Sequence, residues 1–330
     1  MLILTASQIR DALPMKDAIR AMGPAFRAFS CGTAAVPLRT RIDIPRHDAQ
    51  CLFMPAYLAG DPEILALKAV SVFPRNTCSG MPVVTAAVLL MDGRTGVAVA
   101  CMEGSALTAI RTGAASGLAT RLLARGDSRT LAVIGAGVQA RTQIAAVCAV
   151  RAIRKVMIYG PTPSKVDSLI TGLAGTAGVP GDIRAAEDAK DAVSGADIIC
   201  TATTSALPVF DDADIADGTH INAIGSFLPA MQEIPGETVR RSNVIVDSRD
   251  AALAEAGDLI IPIREGWITP AHIRAELGEI VDGTKPGRRD NSEITLFKSV
   301  GNAVQDAAAA CAAYRNARVR SIGLQADWTT

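Results

Sequence analysis

The stretch Thr130-Leu131-Ala132-Val133-Ile134-Gly135-Ala136-Gly137-Val138-Gln139-Ala140 constrains what this chain can fold into more than any other. Its first half is short, apolar and β-branched, the pattern of a strand buried on both faces in a parallel sheet. Its second half is Gly-x-Gly-x-x-Ala, opening into residues 144–150, which can continue as a helix. A strand, a glycine turn and a helix in that order point to dinucleotide binding. Gly135 permits the tight turn, Gly137 lets a pyrophosphate approach the backbone, and Ala140 keeps helix and strand close. The phosphates then meet free N–H groups at the helix N-terminus. An ordinary βα turn also uses glycine, so the context carries the argument.

With 330 residues the chain suits two domains. Hydrophobic residues are 49% and charged residues 20%, which suits a soluble α/β protein with a large core. Lys+Arg and Asp+Glu are 33 each, so no global charge favours nucleic acid or a membrane surface. Met1-Leu2-Ile3-Leu4-Thr5 is too short for a signal peptide, with Ser7, Gln8 and Arg10 following at once, and no uncharged apolar run reaches the length of a membrane span. Seven cysteines are scattered without a Cys-x-x-Cys pair, which predicts reduced thiols in a cytoplasm and no zinc site. His47, His220 and His272 stand apart in sequence, so no histidine-based metal centre is expected.

Ahead of the glycine turn the chain is sheet-rich. Residues 7–29 carry apolar positions at helical spacing and predict one amphipathic helix. Residues 36–44 alternate, with Leu38, Thr40, Ile42 and Ile44 set against Arg39, Arg41 and Asp43, predicting a half-buried strand whose other face carries two arginines. Further strands are expected over 51–56, 64–72, 83–91 and 97–102, the last two joined by an Asp92-Gly93 turn. Residues 105–125 read as an alanine-rich helix. Beyond the turn, strands at 156–159, 183–184, 197–202, 219–224 and 243–247 accompany helices at 164–174 and 187–194. This predicts a doubly wound parallel sheet. Residues 282–292 read as a solvated loop, and 303–317 as a final alanine-rich helix.

Four stretches together resemble the ornithine cyclodeaminase/mu-crystallin family: Arg111-Thr112-Gly113-Ala114-Ala115, the Gly135–Ala140 turn, His220-Ile221-Asn222-Ala223-Ile224-Gly225, and Phe297-Lys298-Ser299-Val300-Gly301. The resemblance spans nearly the whole chain. It implies an α/β fold in which a Rossmann-type doubly wound parallel sheet, residues 113–302, is inserted into a second α+β domain for substrate binding and dimerisation, residues 1–112 plus 303–330. That second domain would form a homodimer through its sheet.

Carried residue by residue, the resemblance places Arg39 and Arg111 on the substrate carboxylate, where a planar guanidinium fork makes two parallel charge-assisted bonds. It places Lys68 as the active-site lysine, able to bind that carboxylate or give a proton to substrate nitrogen if neighbouring cations lower its pKa. Lys68 and Arg111 are thus the catalytic candidates. Phe227, Ser299 and Gly301 join them and Arg39 as substrate-binding candidates. For the cofactor, the resemblance and the turn give Thr112, Gly135, Ala136, Gly137, Val138, Gln139, Thr162, Lys165, Thr203, Ala223, Gly225 and Ser299. The second strand of the predicted sheet ends in Gly160-Pro161-Thr162-Pro163-Ser164-Lys165, without the acidic residue that would bond an NAD ribose and repel a 2′-phosphate. Thr162, Ser164 and Lys165 could instead donate to that phosphate, with Arg141 a further donor, so NADPH is expected and NADH is possible.

The departures from the family pattern narrow the activity. Cyclodeaminases and archaeal alanine dehydrogenases carry an aspartate where this chain has Phe227, and cyclodeaminases an acidic residue where it has Leu52-Phe53. Losing both carboxylates removes the bases a cyclodeaminase needs, and an apolar wall suits a flat ring. Gly225-Ser226-Phe227-Leu228-Pro229 is similar to the reductase branch. The resemblance therefore implies hydride transfer to the C=N carbon of a cyclic ketimine carboxylate, pyrroline- or piperideine-2-carboxylate, giving proline or pipecolate. Two alternatives remain: an ornithine cyclodeaminase or alanine-type dehydrogenase, and a non-catalytic NADPH-dependent binding protein. Expected partners are the cyclic imino acid and a second copy of the chain, with no nucleic acid, membrane or metal.

Overall fold

A computed structural model describes residues 1–328. The chain divides into two compact units, one of Met1–Arg111 together with the stretch from Asn302 onward, the other Thr112–Gly301.

The first unit begins with β1 (Leu2–Leu4) and a helix opened by Thr5, whose hydroxyl accepts the Gln8 amide while Gln8 Oε1 accepts the Thr5 amide. The single helix expected over 7–29 is in fact two, α1 (Ala6–Ala12) and α2 (Met15–Ser30). Pro14 divides them, because the residue before a proline is pushed out of the helical region. Strands β2 (Ala34–Ala35), β3 (Thr40–Ile44), β4 (Ala49–Leu58), β5 (Ile64–Val72), β6 (Val84–Asp92) and β7 (Ala98–Glu103) follow. The sheet order is a last short strand (Leu324–Gln325), then β1, β7, β6, β5, β4 and β2, with β3 also paired to β4. Its ladders are antiparallel except β1 with β7.

Period-two alternation sorts this sheet into two faces. One register row runs Met54, Lys68, Val88, Met102 and Leu4, all buried, on the face where the C-terminal helix (Ala303–Val319) packs over β4, β5 and β6. A charged residue in the middle of an apolar row is the first sign of a site. The next row, Pro55, Leu67, Leu89, Cys101 and Ile3, points to the opposite face and is half-buried.

Strand β3 corrects an expectation. Its alternation is as read, but Leu38 is 75% and Ile42 50% exposed, so the strand is not half-buried. It pairs only with β4, outside the cover of the C-terminal helix. The β6–β7 bend also differs: it runs over residues 93–97, where Asp92 Oδ1 accepts the amides of Arg94 and Thr95 and Gly96, not Gly93, takes positive φ. Helix α3 (Gly104–Leu123) starts where Glu103 accepts the Ser105 and Ala106 amides, each at 2.8 Å.

The second unit is a wholly parallel sheet of β8 (Thr130–Ile134), β9 (Lys155–Tyr159), β10 (Asp182–Ala185), β11 (Ile198–Thr201), β12 (His220–Ala223), β13 (Asn243–Val246), β14 (Ile273–Glu276) and β15 (Thr295–Lys298). Between them run α4 (Val138–Val150), α5 (Pro163–Leu173), α6 (Ala189–Val193), α7 (Gly236–Arg241), α8 (Arg249–Glu255), α9 (Gly257–Arg264) and α10 (Leu277–Asp282). The order β10-β9-β8-β11-β12-β15-β13-β14 contains the 3-2-1-4-5 sequence of a dinucleotide-binding sheet, reversing direction between β8 and β11. Apolar clusters cover both faces, as a parallel sheet requires. Helices α7–α10 and strands β14 and β15 were not legible. They are short, α9 carries Pro262 inside it, a residue that argues against a helix, and β15 ends on a buried lysine.

Candidate active site

At the switch point of the parallel sheet, the turn after β8 meets the geometry expected of it. Gly135 holds φ at 112°, and a Cβ there would lie 2.5 Å from the Ala202 carbonyl oxygen, so only glycine fits. Gly137 is the N-cap of α4, is exposed, and a Cβ built on it would meet nothing within 4 Å. The space above it is open, and no side chain caps the first turn of α4, leaving its N–H groups to an anion. Ala140 is fully buried with Leu131 and Val133, letting α4 settle against β8. Ala136 and Gln139 are half-buried and Val138 is 77% exposed along the same rim. These residues fit a bound dinucleotide.

At the end of β9, Gly160 has space for a side chain, its nearest contacts being 3.5 Å or more. Thr162 is the N-cap of α5 with no side-chain cap bond, and Thr162, Ser164 and Lys165 are all exposed. Arg141 is turned elsewhere: its guanidinium donates to the Gly172 carbonyl at 2.7 Å, on the last turn of α5.

The loops beyond β11 and β12 are tied by acids that the sequence reading missed. Glu233, fully buried, accepts the Thr203 amide on Oε1 and the Gly225 and Ser226 amides on Oε2. Asp258 accepts the Glu233 and Ile234 amides and forms an ion pair with Lys298 at 2.8 Å, both side chains fully buried. Asp247 Oδ2 accepts the Ser299 hydroxyl at 2.7 Å and the Gly301 amide at 2.6 Å. Ser299 and Gly301, expected at substrate, therefore have these groups committed to holding the turn after β15, where Gly301 takes a positive φ. Thr112 and Ala223 are buried; Phe227, beside Leu228, is 44% exposed.

His220 and Asn222 form an internal network. The imidazole lies 2.9 Å from Thr295 Oγ1 and 3.3 Å from Asn222 Oδ1, and the Asn222 amide donates to Thr120 Oγ1 at 3.0 Å. Burial pulls the His220 pKa down to about 3, so it stays neutral at physiological pH.

In the first unit the structure brings Lys68 and Arg111 together on an acid the sequence reading also missed. Lys68 Nζ lies 2.7 Å from Asp306 Oδ2, and Arg111 Nε donates to Asp306 Oδ1 at 3.0 Å. A further Arg111 N–H donates to Gln305 Oε1. All three charged side chains are at most 7% exposed. Two cations against one carboxylate leave a positive excess, the complement of a carboxylate ligand. Burial pulls the Lys68 ammonium from 10.5 down to about 8; Asp306 opposes the fall, while Arg111 and Arg39 deepen it. Arg39 is half-buried, with a charge that reaches Lys68; Leu52 and Phe53 are half-buried on neighbouring β4. One signal for Asp306 was available: a lone acid among Ala303, Val304 and the alanines at 307–310 lies on a helix face with no route to solvent.

A glycine turn open for a pyrophosphate, a 3-2-1-4-5 parallel sheet and a buried lysine–arginine pair describe a nicotinamide-dependent class of protein, and the chain belongs to the ornithine cyclodeaminase/mu-crystallin family, which it matches over residues 1–321. Within that family it is 42% identical over 324 residues to a delta(1)-pyrroline-2-carboxylate reductase of Bacillus cereus, covering 98% of each chain. It superposes on the Thermococcus litoralis delta(1)-pyrroline-2-carboxylate reductase in complex with NADH and L-proline with a TM-score of 0.93 and 46% identity, over 99% of this chain and 100% of that one. An archaeal alanine dehydrogenase dimer with bound NAD gives a TM-score of 0.91 at 31% identity, over 99% of each chain.

Proposed function

We propose that this chain is an NAD(P)H-dependent reductase of a cyclic ketimine carboxylate, delta(1)-pyrroline-2-carboxylate or its six-membered homologue, giving L-proline or L-pipecolate. The observation that carries the reading is the buried Lys68–Asp306–Arg111 cluster, cationic in excess and holding a lysine whose pKa falls to about 8. The reductase relatives and their NADH and proline complex support it. When bound at the Gly135–Gly137 turn, the dinucleotide supplies the hydride that the C=N carbon receives.

Arg111 and Arg39 grip the substrate carboxylate and fix the ring. Lys68, poised near neutrality, holds the proton that the ring nitrogen carries as the C=N carbon accepts the hydride, so that the product is a secondary amine. Phe227 stands where cyclodeaminases have an aspartate, and it supplies no base for the release of ammonia. The exposed Thr162, Ser164 and Lys165 favour a 2′-phosphate, so NADPH is the preferred reductant and NADH the lesser one. The half-buried row of Pro55, Leu67, Leu89 and Cys101 supports a homodimer through this sheet face, as does the dimeric alanine dehydrogenase relative. All seven cysteines are free, which supports a cytoplasmic setting. Among the described residues no helix is long and apolar enough to cross a membrane.

Absorbance at the nicotinamide band tests this directly. Oxidation of NADPH on adding delta(1)-pyrroline-2-carboxylate is expected, with no ammonia released from L-ornithine and no reduction of cofactor by L-alanine. Ammonia and proline from ornithine would overturn the reading in favour of a cyclodeaminase. No turnover with any of the three would favour a binding protein.

A further inference from the structure

We propose that Glu233 is the positioning residue of the nicotinamide half of the dinucleotide site, clamping the loops that leave β11 and β12; this rests on the dinucleotide-dependent reading above. In a sheet of this order the adenosine half lies over the first three strands and the nicotinamide half over those that follow the switch point. The loops after β11 and β12 are therefore the ones whose placement decides where the reactive ring sits. The bonds that Thr203 and Ser205 make in the first loop, and that Ser226 makes to Met231 in the second, each stay within one loop. Both loops are held by one carboxylate.

The clamp uses every face of Glu233. Oε1 accepts the Thr203 amide at 2.6 Å; Oε2 accepts the Gly225 amide at 2.7 Å, the Ser226 amide at 3.2 Å and the Thr201 hydroxyl at 2.9 Å. Its own amide and that of Ile234 donate to Asp258 Oδ1 at 2.6 and 3.0 Å, and Lys298 anchors the other oxygen of Asp258. The residue is fully buried. A Cβ at Gly225 would run into the Thr203 carbonyl and Glu233 itself, so the two loops meet as closely as backbone allows. Burying a carboxylate is costly, and hydroxyls or water satisfy strand ends more cheaply. What a carboxylate adds is two oxygens on one rigid plane, fixing two loops relative to each other.

The test separates the two halves of the cofactor. Full-length wild type, Glu233→Gln and Thr201→Val are titrated with NADH and ADP-ribose, or with NADPH and the 2′-phosphorylated fragment, whichever dinucleotide the wild type binds more tightly. Turnover and melting temperature are measured alongside. In the glutamine variant, an NH2 group must face one of the loop amides whichever way it turns, so one loop loses its acceptor. Dinucleotide Kd is expected to rise, and kcat to fall, at least tenfold, while the fragment's Kd stays within twofold. Thr201→Val removes a single bond and should move the same quantities several-fold. A lowered melting temperature with both Kd values and kcat unchanged, or an equal rise in both Kd values, would overturn the proposal. If Glu233→Gln does not fold, Thr201→Val decides, and no selective loss in it overturns the clamp. A wild type that binds neither probe overturns the cofactor reading itself.

Discussion

Lys68→Met measures how much the site costs the fold. The unfolded chain holds the Lys68 proton up to about 10.5 and the folded chain only to about 8. Between those values the unfolded state binds more protons, so wild-type stability rises with pH across the window and is lowest below it. Integrating this linkage gives about 2.5 kcal/mol gained by the wild type between pH 7 and pH 10, relative to a variant of similar shape with no charge to lose. Every other titrating group is common to both proteins, so the difference isolates Lys68. The assay is urea denaturation of each at pH 7 and pH 10, followed by near-ultraviolet signals. Wild-type kcat/KM should also fall as pH rises through about 8, while Lys68→Met has lost most of its activity at every pH. Parallel stability profiles, differing by less than about 0.5 kcal/mol over the window, would refute the argument: Lys68 would then keep an ordinary pKa and could not serve as the proton store.

Gly137→Val should abolish dinucleotide binding in calorimetry yet keep the wild-type melting temperature, since a side chain there meets only the open space; Gly135→Val should instead lower stability by more than about 3 kcal/mol, from its positive φ and the contact with Ala202. Arg111→Ala should cost about 2–5 kcal/mol in kcat/KM, and Arg111→Lys should recover part, as a point charge does not replace the fork. Gly160→Asp, for which there is space, should shift preference from NADPH toward NADH, measured as the ratio of kcat/KM values.

Where the sequence could be read, it was because a local pattern and a tertiary demand coincided. The Thr130–Ala140 run declares strand, turn and helix within eleven residues, because the pyrophosphate turn is a local structure. Strand β5 was legible as a short apolar run, but Lys68 within it was singled out only by the family resemblance. Glu233, Asp258 and Asp247 were not legible, and Asp306 left only the trace of a lone acid among alanines. Each is an acid whose meaning lies in partners distant in sequence, as the separation of 195 residues between Arg111 and Asp306 shows. Strand β3 failed in another way: its pattern marks which face is apolar, but what covers that face is not written in the strand. The β6–β7 turn taught the same lesson: Asp92-Gly93 was the expected turn pair, yet it is Gly96 whose backbone takes positive φ.

The acid between Lys68 and Arg111 is carried by a helix on the far side of the inserted parallel sheet in the chain. At ribosomal speeds of 5–20 residues per second, the 195 residues separating Arg111 from Asp306 take about 10–40 s to synthesise. Throughout that interval the row of Met54, Lys68, Val88 and Met102 lacks its covering helix, and its lysine lacks its counter-ion. The parallel sheet has all its strands first and can fold on its own schedule. The unit that holds Lys68 and Arg111 is therefore sealed last, and translation that stops short of residue 303 leaves an ammonium without its counter-ion in an apolar sheet face.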